Sequence, residues 1–308
     1  MNPWFENKVS LSIQLLFRTF ALMRIAGNKI SDIKKYFYQE LEQQYSQGEI
    51  LILFRMAVQH INGLSHLDIH FEPDLRVQES DVLQYSWFVK RLVQGEPVQY
   101  IMGYTWFMDL KINVAPAVLI PRPETEELAN LIIMELQGIE NPVILDACSG
   151  SGCISLSLKA YCSNAKVIGV ELSDEALEVS KQNAASLSLD VDFHKSDVLQ
   201  LETWAEPLDV LVSNPPYISK SESESLSVQV RDFEPAMALF VDDPDVLLFY
   251  RRLSKLGLNS VKQGGLIALE CHFENTEKVA EILISDGWKN VLIENDLSGN
   301  PRIVYGRK

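Results

Sequence analysis

From residue 121 to the last residue, short aliphatic and β-branched runs alternate with stretches of helical periodicity, and few folds accept that pattern. Strand candidates are 143–146, 166–171, 191–194, 209–213, 266–270, 290–294 and 303–306. Helical spacing fits 123–137, 152–161, 174–188, 244–261 and 275–286. Alternation of this kind predicts an α/β domain, a largely parallel sheet covered by helices on both faces. The last two strands are separated by a turn instead of a helix, which predicts an antiparallel closing pair.

Upstream the texture differs. Residues 8–92 read as mostly helical, with apolar spacing in Leu11, Leu15, Leu16, Phe20 and Met23, and again in Ile50, Leu53, Phe54 and Ala57. The apolar stretch 9–17 is followed by Arg18 and Arg24, so it reads as an amphipathic helix and not as a signal core. Ser31 is a candidate N-cap for a helix through Tyr36 and Leu41, and Ser80-Asp81 opens another through Trp87 and Val93. Gly95-Glu96-Pro97 breaks the pattern. The runs 98–101, 107–114 and 118–120 carry the aromatic and β-branched content of short strands around turns. Three segments result: a helical domain over 1–93, a hairpin connector over 94–120 and the α/β domain over 121–308.

Composition narrows the function. The net charge of −15 comes with no basic run longer than a pair, a poor match to phosphate-driven nucleic-acid binding. Four cysteines without a C-x-x-C pair need no disulfide framework and fit a reducing, cytoplasmic setting. No apolar stretch is long enough to span a bilayer. His60, His66 and His70 lack an accompanying acidic or cysteine ligand set, so no metal site is expected.

Two loops carry the chemistry. The first, Asp146-Ala147-Cys148-Ser149-Gly150-Ser151-Gly152, follows the first strand of the α/β domain and opens a helix. Small residues there let a ligand approach the backbone, and the helix N-terminus favours negative charge. Glu171 ends the next strand, where a carboxylate can accept both hydroxyl protons of a ribose. The G-x-G spacing and the leading Asp favour S-adenosylmethionine over a dinucleotide. Asp197, after the third strand, is placed to meet the adenine amino group or to cap its own loop. Cys148 and Cys153 have no apparent partner base for nucleophilic use and read as small apolar fillers.

The second loop is Asn214-Pro215-Pro216-Tyr217, held at the exit of a buried strand. Open α/β sheets bind ligands at such strand ends. An amide nitrogen is a poor nucleophile because its lone pair is delocalised, so an enzyme must orient it and accept hydrogen bonds from its N–H groups. The Asn214 side-chain oxygen and the Pro215 carbonyl are suitable acceptors, and Tyr217 can stack on a planar amide. Proline stiffens the turn.

These loops, together with Leu119-Ile120-Pro121-Arg122-Pro123-Glu124-Thr125-Glu126-Glu127-Leu128, resemble the PrmC/HemK family of release factor glutamine methyltransferases. Gly95-x-Pro97-x-Gln99-Tyr100-Ile101-x-Gly103, Phe233-Glu234-Pro235, Gly264-Gly265 with Glu270, and Asp296-Leu297-Ser298-Gly299 through Arg302 fall where that family's other motifs do. The resemblance implies a class I S-adenosylmethionine-dependent methyltransferase: a Rossmann-like sheet with an N-terminal helical domain and a hairpin connector. It implies that the turn 148–152 and Glu171 bind the methyl donor, and Asp146 and Asp197 are counted with them as donor-site candidates. Phe107 lines the donor pocket and Thr125 and Asn214 border it. Asn214 through Tyr217 hold the acceptor glutamine, with Arg122 and Glu124 at the site's edge. It also implies a release-factor substrate entering between the helical and catalytic domains, and a monomer with no direct nucleic-acid or membrane partner.

Three positions depart from the family pattern. Cys148 replaces a glycine, Phe240-Val241-Asp242-Asp243-Pro244-Asp245 replaces a glycine-rich stretch, and His272 replaces a glycine after Glu270. Two other readings are compatible with parts of the chain. The Asn-Pro-Pro-Tyr motif is shared with nucleic-acid amino-group methyltransferases, and Cys148 in the donor turn is compatible with a non-catalytic cofactor-binding adaptor.

Overall fold

A computed structural model describes residues 25–241 and 245–308. The helix expected over 9–17 and its neighbours through Met23, and Asp242, Asp243 and Pro244 of the 240–245 stretch, lie outside the described residues. The chain divides into two compact units between Met102 and Gly103, so the hairpin belongs with the α/β unit.

The first unit contains α1 (Ile30–Leu41), α2 (Gln47–Asn62), α3 (His66–Phe71), α4 (Glu79–Val93) and α5 (Val98–Met102). Ser46 and Glu49 form a reciprocal capping box that starts α2. Phe37 packs edge-on against Phe54 and Tyr85, at centroid distances of 5.5 and 6.3 Å. The buried Tyr85 hydroxyl donates to Asn62 Oδ1 at 2.6 Å, so the one polar atom of that ring is satisfied. Two expectations need correcting. Ser31 does not cap α1, since its hydroxyl donates to Asp74 Oδ1 at 3.1 Å and Lys29 occupies the cap position. Residues 98–101 form α5, not a strand: Ile101 N–H bonds the Pro97 carbonyl and Tyr100 is buried. Tertiary packing overrode the β-branched composition there.

The second unit opens with β1 (Tyr104–Phe107) and β2 (Leu110–Asn113), an antiparallel hairpin. Met108 and Asp109 between them have φ of +46° and +61°. Two consecutive left-handed residues make the turn whose twist matches paired strands. The expected run 107–114 is therefore split by a turn that no glycine marks. Residues 118–120 are a buried loop, not a strand, with Pro116 and Pro121 removing ladder donors on either side.

The α/β region follows as α6 (Pro123–Glu135), β3 (Val143–Ala147), α7 (Cys153–Tyr161), β4 (Lys166–Glu171), α8 (Asp174–Leu187), β5 (Asp192–Lys195) and β6 (Leu208–Ser213). After β6 come β7 (Ile218–Ser219), α9 (Val228–Phe233), α10 (Ala236–Leu239) and β8 (Phe240–Val241). The unit ends with α11 (Leu248–Ser260), β9 (Val261–Glu270), α12 (Thr276–Asp286), β10 (Lys289–Asn295) and β11 (Pro301–Arg307). Seven strands form one sheet in the order β10-β11-β9-β6-β3-β4-β5, with β7 and β8 a separate parallel pair. Strands β9, β6, β3, β4 and β5 run parallel, and β11 and β10 close the sheet antiparallel, as the turn between them predicted. From β3 the chain winds one way to β4 and β5, then returns to lay β6 on the other side of β3. The sheet's switch point thus lies between β3 and β6.

Asn183 of α8 fastens the hairpin to this sheet. It is fully buried, its Oδ1 accepts Asn113 N–H at 2.8 Å, and its Nδ2 donates to the carbonyls of Asn113 and Ser151, both at 3.0 Å. One amide therefore anchors both β2 and the turn after β3. Asn183→Ala leaves these backbone groups without partners, and the expected loss is about 2–3 kcal/mol of stability. Urea unfolding should show a lower midpoint at an unchanged slope.

Candidate active site

The register of β3 and β6 sets Ala147 opposite Ser213, and the Ser213 hydroxyl donates to the Ala147 carbonyl at 2.6 Å. The next residues out of these strand ends are Cys148 and Asn214. The two chemistry-bearing loops therefore leave the sheet side by side at its switch point.

A cavity of about 380 Å³ opens over the first loop. Cys148 through Ser151, Glu171 and Asp197 line it, with apolar walls that include Val198, Leu199, Met237 and Phe249. That volume is in the usual range for small-ligand sites. The Ser149 hydroxyl sits on this wall, buried and without a hydrogen-bond partner. Glu171 Oε1 accepts Leu172 and Ser173 N–H at 2.8 and 2.9 Å, and Oε2 accepts Gly150 N–H at 2.9 Å. A carboxylate offers about four lone-pair sites, so roughly one remains, on Oε2, for a ribose hydroxyl, against the two expected from sequence. Asp197 caps its own loop, its Oδ1 accepting Leu199 N–H at 2.9 Å, and it also lines the cavity.

Asp146 lies beneath the turn rather than on the cavity wall. It is fully buried, and Oδ2 accepts Ser155 N–H and Oγ–H at 3.1 and 2.6 Å while Oδ1 has no partner. Burial pushes its carboxyl up to about 7, the Ser155 bonds opposing the shift and the charge of Glu171 adding to it. Gly152, with φ of +80°, begins α7 and also stays off the wall. A Cβ there would lie 2.8 Å from the Phe193 ring, so only glycine fits. Phe107 is not a pocket residue, contrary to what the resemblance implied. It is 1% exposed and is not among the residues that line the cavity.

A second cavity, of about 330 Å³, shares Leu119, Arg122, Asn214 and Ala238 with the first. The motif alternates between them. Pro216 faces the first cavity, Pro215 and Tyr217 face the second, and Asn214 borders both. Glu124, Glu270 and Arg302 complete the second cavity's polar wall. Asn214 Nδ2 donates to Thr125 Oγ1 at 3.2 Å, and Thr125 in turn donates to Glu270 Oε2 at 2.7 Å. The Tyr217 hydroxyl approaches Glu270 Oε1 at 3.5 Å. Burial and the Glu270 charge push that phenol up, which keeps it a neutral donor. His272 stands 6.1 Å from the Tyr217 ring and 4.5 Å from that of Phe273.

Glu234 is the residue whose role the sequence did not disclose. It is 5% exposed, accepts Ile120 N–H at 3.2 Å and pairs with the Arg122 guanidinium. The pair ties the Pro-Arg-Pro-Glu-Thr block to the Phe233-Glu234-Pro235 block, and both blocks contribute to the first cavity's wall. The sequence signal was an acidic residue flanked by Phe and Pro in a chain region with no other acidic motif of that kind.

The fold and the two adjoining cavities define a class I S-adenosylmethionine-dependent methyltransferase. Residues 123–281 match the methyltransferase small domain and residues 32–103 match the PrmC N-terminal domain. A release factor glutamine methyltransferase from Flavobacterium psychrophilum is 34% identical over 278 residues, spanning 89% of this chain and 98% of that protein. One of the same name from Bacteroides thetaiotaomicron is 34% identical, spanning 90% and 99%. The chain belongs to the release factor glutamine methyltransferase family. Among solved structures, the catalytic domain of hMettl16 in complex with MAT2A 3'UTR hairpin 6 shares the fold, with a TM-score of 0.52 at 13% identity over 75% of this chain and 82% of that one.

The first cavity fits the methyl donor on its own evidence: an unpartnered buried hydroxyl, a remaining acceptor site on Glu171, and apolar walls for a flat base. Cys148 is the exception in the turn. Its φ is +63°, the left-handed region that favours glycine. Burial pushes its thiol up, so it stays protonated and apolar in character, consistent with a filler. Comparing Cys148→Gly with Cys148→Ala isolates the backbone cost, since neither carries the sulfur. The glycine variant should be more stable by about 1 kcal/mol, read as a difference in thermal midpoints and accompanied by equal or tighter donor binding.

Proposed function

We propose that this protein transfers a methyl group from S-adenosylmethionine to the side-chain amide nitrogen of the glutamine in the Gly-Gly-Gln motif of a peptide chain release factor. The observation that carries the reading is the partition by Asn214-Pro215-Pro216-Tyr217, which gives a donor cavity and an acceptor cavity a common wall. Family membership supplies the substrate class.

When bound, the donor supplies a methyl group on a cationic sulfur. The protein's own residues do the positioning. Asn214 gives its NH₂ to Thr125, so its Oδ1 is left to accept an N–H of the acceptor amide. The Pro215 carbonyl accepts the other. With both N–H groups held in plane, the nitrogen lone pair can be aimed directly at the methyl carbon where the two cavities adjoin beside Asn214. Tyr217 offers its ring to the amide plane, and Arg122 and Glu124 border the entrance. No strong base is required, because the proton leaves a nitrogen made acidic by methylation. Glu171, Asp197 and the turn 148–151 hold the donor, and Thr125 borders it.

The partner is a release-factor protein and not nucleic acid, in keeping with the net charge of −15. We place the enzyme in the cytoplasm, as a monomer. No helix among the described residues is long and apolar enough to cross a membrane.

Asn214→Ala removes the acceptor oxygen without touching the turn or Glu171. Methylation of release factor should fall by about 10²–10³-fold, the cost of deleting one preorganised polar partner of a transition state, while donor affinity measured by calorimetry is largely kept. Full turnover in the variant would overturn the role given to Asn214. Labelled donor counted on release factor and on nucleic acid separates this substrate class from amino-group methylation of bases.

A further inference from the structure

The amide of Asn214 can face either way, since its oxygen and nitrogen have nearly the same shape. Only one way leaves an acceptor for the substrate. What fixes the choice lies in the hydrogen bonds behind it.

Glu270 is 2% exposed and lies at the end of β9, two strands from β3 in the sheet. An ionised carboxylate has no proton to give, so it can only accept. Thr125 Oγ1, 2.7 Å away, must therefore turn its hydrogen toward Glu270. A hydroxyl has one hydrogen, so toward Asn214, 3.2 Å on its other side, Thr125 can only accept. Asn214 must then present its NH₂ to Thr125 and its Oδ1 to the acceptor cavity. We propose that Glu270 and Thr125 are positioning residues that set the orientation of the Asn214 amide, a one-way chain of hydrogen bonds that starts at a buried acceptor and ends at the substrate. The inference rests on the proposed role of Asn214.

Only the ionised form of Glu270 fixes the chain's direction without ambiguity, since a proton on Oε2 would turn the Thr125 bond around. Both of its oxygens already face donors, Thr125 and the Tyr217 hydroxyl, so a proton on either would displace one. Facing it are Glu124 and Thr125 of α6, Cys153 of α7, Tyr217 after β6, Tyr250 of α11, Cys271 beside it and Arg302 of β11. Burial pushes its carboxyl up to about 7, Thr125, Arg302 and Tyr217 opposing and Glu124 adding. The chain is therefore fully set above that value and loosens as pH drops through it.

The experiment measures kcat, release-factor KM, donor affinity and thermal midpoint in the full-length protein. Thr125→Val keeps the volume and removes the hydroxyl. It should lower kcat about 10- to 100-fold, the cost seen when a partner that orients a site group is lost, with a smaller change in donor affinity and a lower thermal midpoint from the unpaired Glu270 oxygen. Thr125→Ser restores the hydroxyl and should recover most of kcat. Glu270→Gln keeps an acceptor oxygen but cannot titrate, so the acidic limb of the wild-type kcat profile near pH 7 should vanish. That readout stands even if the valine variant folds poorly. The proposal is overturned if Thr125→Val keeps wild-type kcat, or if the limb persists in Glu270→Gln. An active Asn214→Ala would instead remove the reading beneath it, whereas an inactive Asn214→Ala beside an active Thr125→Val would sink the orienting chain alone.

Discussion

The pairing of β3 with β6 is the constraint from which the site follows. Parallel neighbours whose crossovers leave in opposite directions cannot both be covered at their ends, and the gap between the departing loops becomes a crevice. Here those loops begin at Cys148 and Asn214. Their separation is fixed by the match of Ala147 with Ser213 and by the hydroxyl of Ser213 on the Ala147 carbonyl. Val210, Leu211 and Val212 are all buried, so β6 is packed on both faces and its ends are held firmly within the sheet.

Around the crevice, four carboxylates work as fasteners. Asp146 binds the first turn of α7 through Ser155, and Glu171 gathers three N–H groups, including Gly150 of the donor turn. Glu234 closes two proline-flanked loops onto each other through Arg122 and Ile120. Glu270 joins α6 to the loop after β6. An ionised carboxylate accepts and never donates, so each one fixes the direction of the bonds it receives as well as their length. Burying such groups is costly unless they are satisfied. The cost is met where backbone order near a ligand is required, and it is least well met at Asp146, whose Oδ1 has no partner.

The sequence disclosed what depends on local pattern. Every strand of the seven-stranded sheet was legible, as was the antiparallel closing pair, because buried runs such as Leu208–Ser213 have few alternatives at that length and composition. The glycine-rich turn, Glu171 and Asn214 could be placed because each stands at or just past the end of a buried apolar run. What failed depended on long-range packing. Residues 98–101 are helical because Tyr100 is buried, and Ser31 bonds a partner 43 positions away instead of its own helix. Phe107 was assigned to the pocket by analogy, but it is buried away from the cavity lining. The hydrogen bonds of Glu234 and Glu270 span 112 to 145 positions to their partners in the 122–125 block, and no periodicity signals such pairs.

Asn214-Pro215-Pro216-Tyr217 also explains why so short a motif suffices. In extended backbone, successive residues face opposite sides. Pro216 faces the first cavity and Pro215 and Tyr217 face the second, so the segment separates them along most of its length. A wall of flexible residues would have to be ordered each time both ligands bind, and that entropy would be charged against catalysis. Two consecutive prolines fix φ in advance and carry no N–H that could compete for the acceptor amide. On the proposed reading, donor and acceptor meet at the edge of a segment whose shape is set before either arrives, which is what a reaction driven by alignment instead of acid–base chemistry requires.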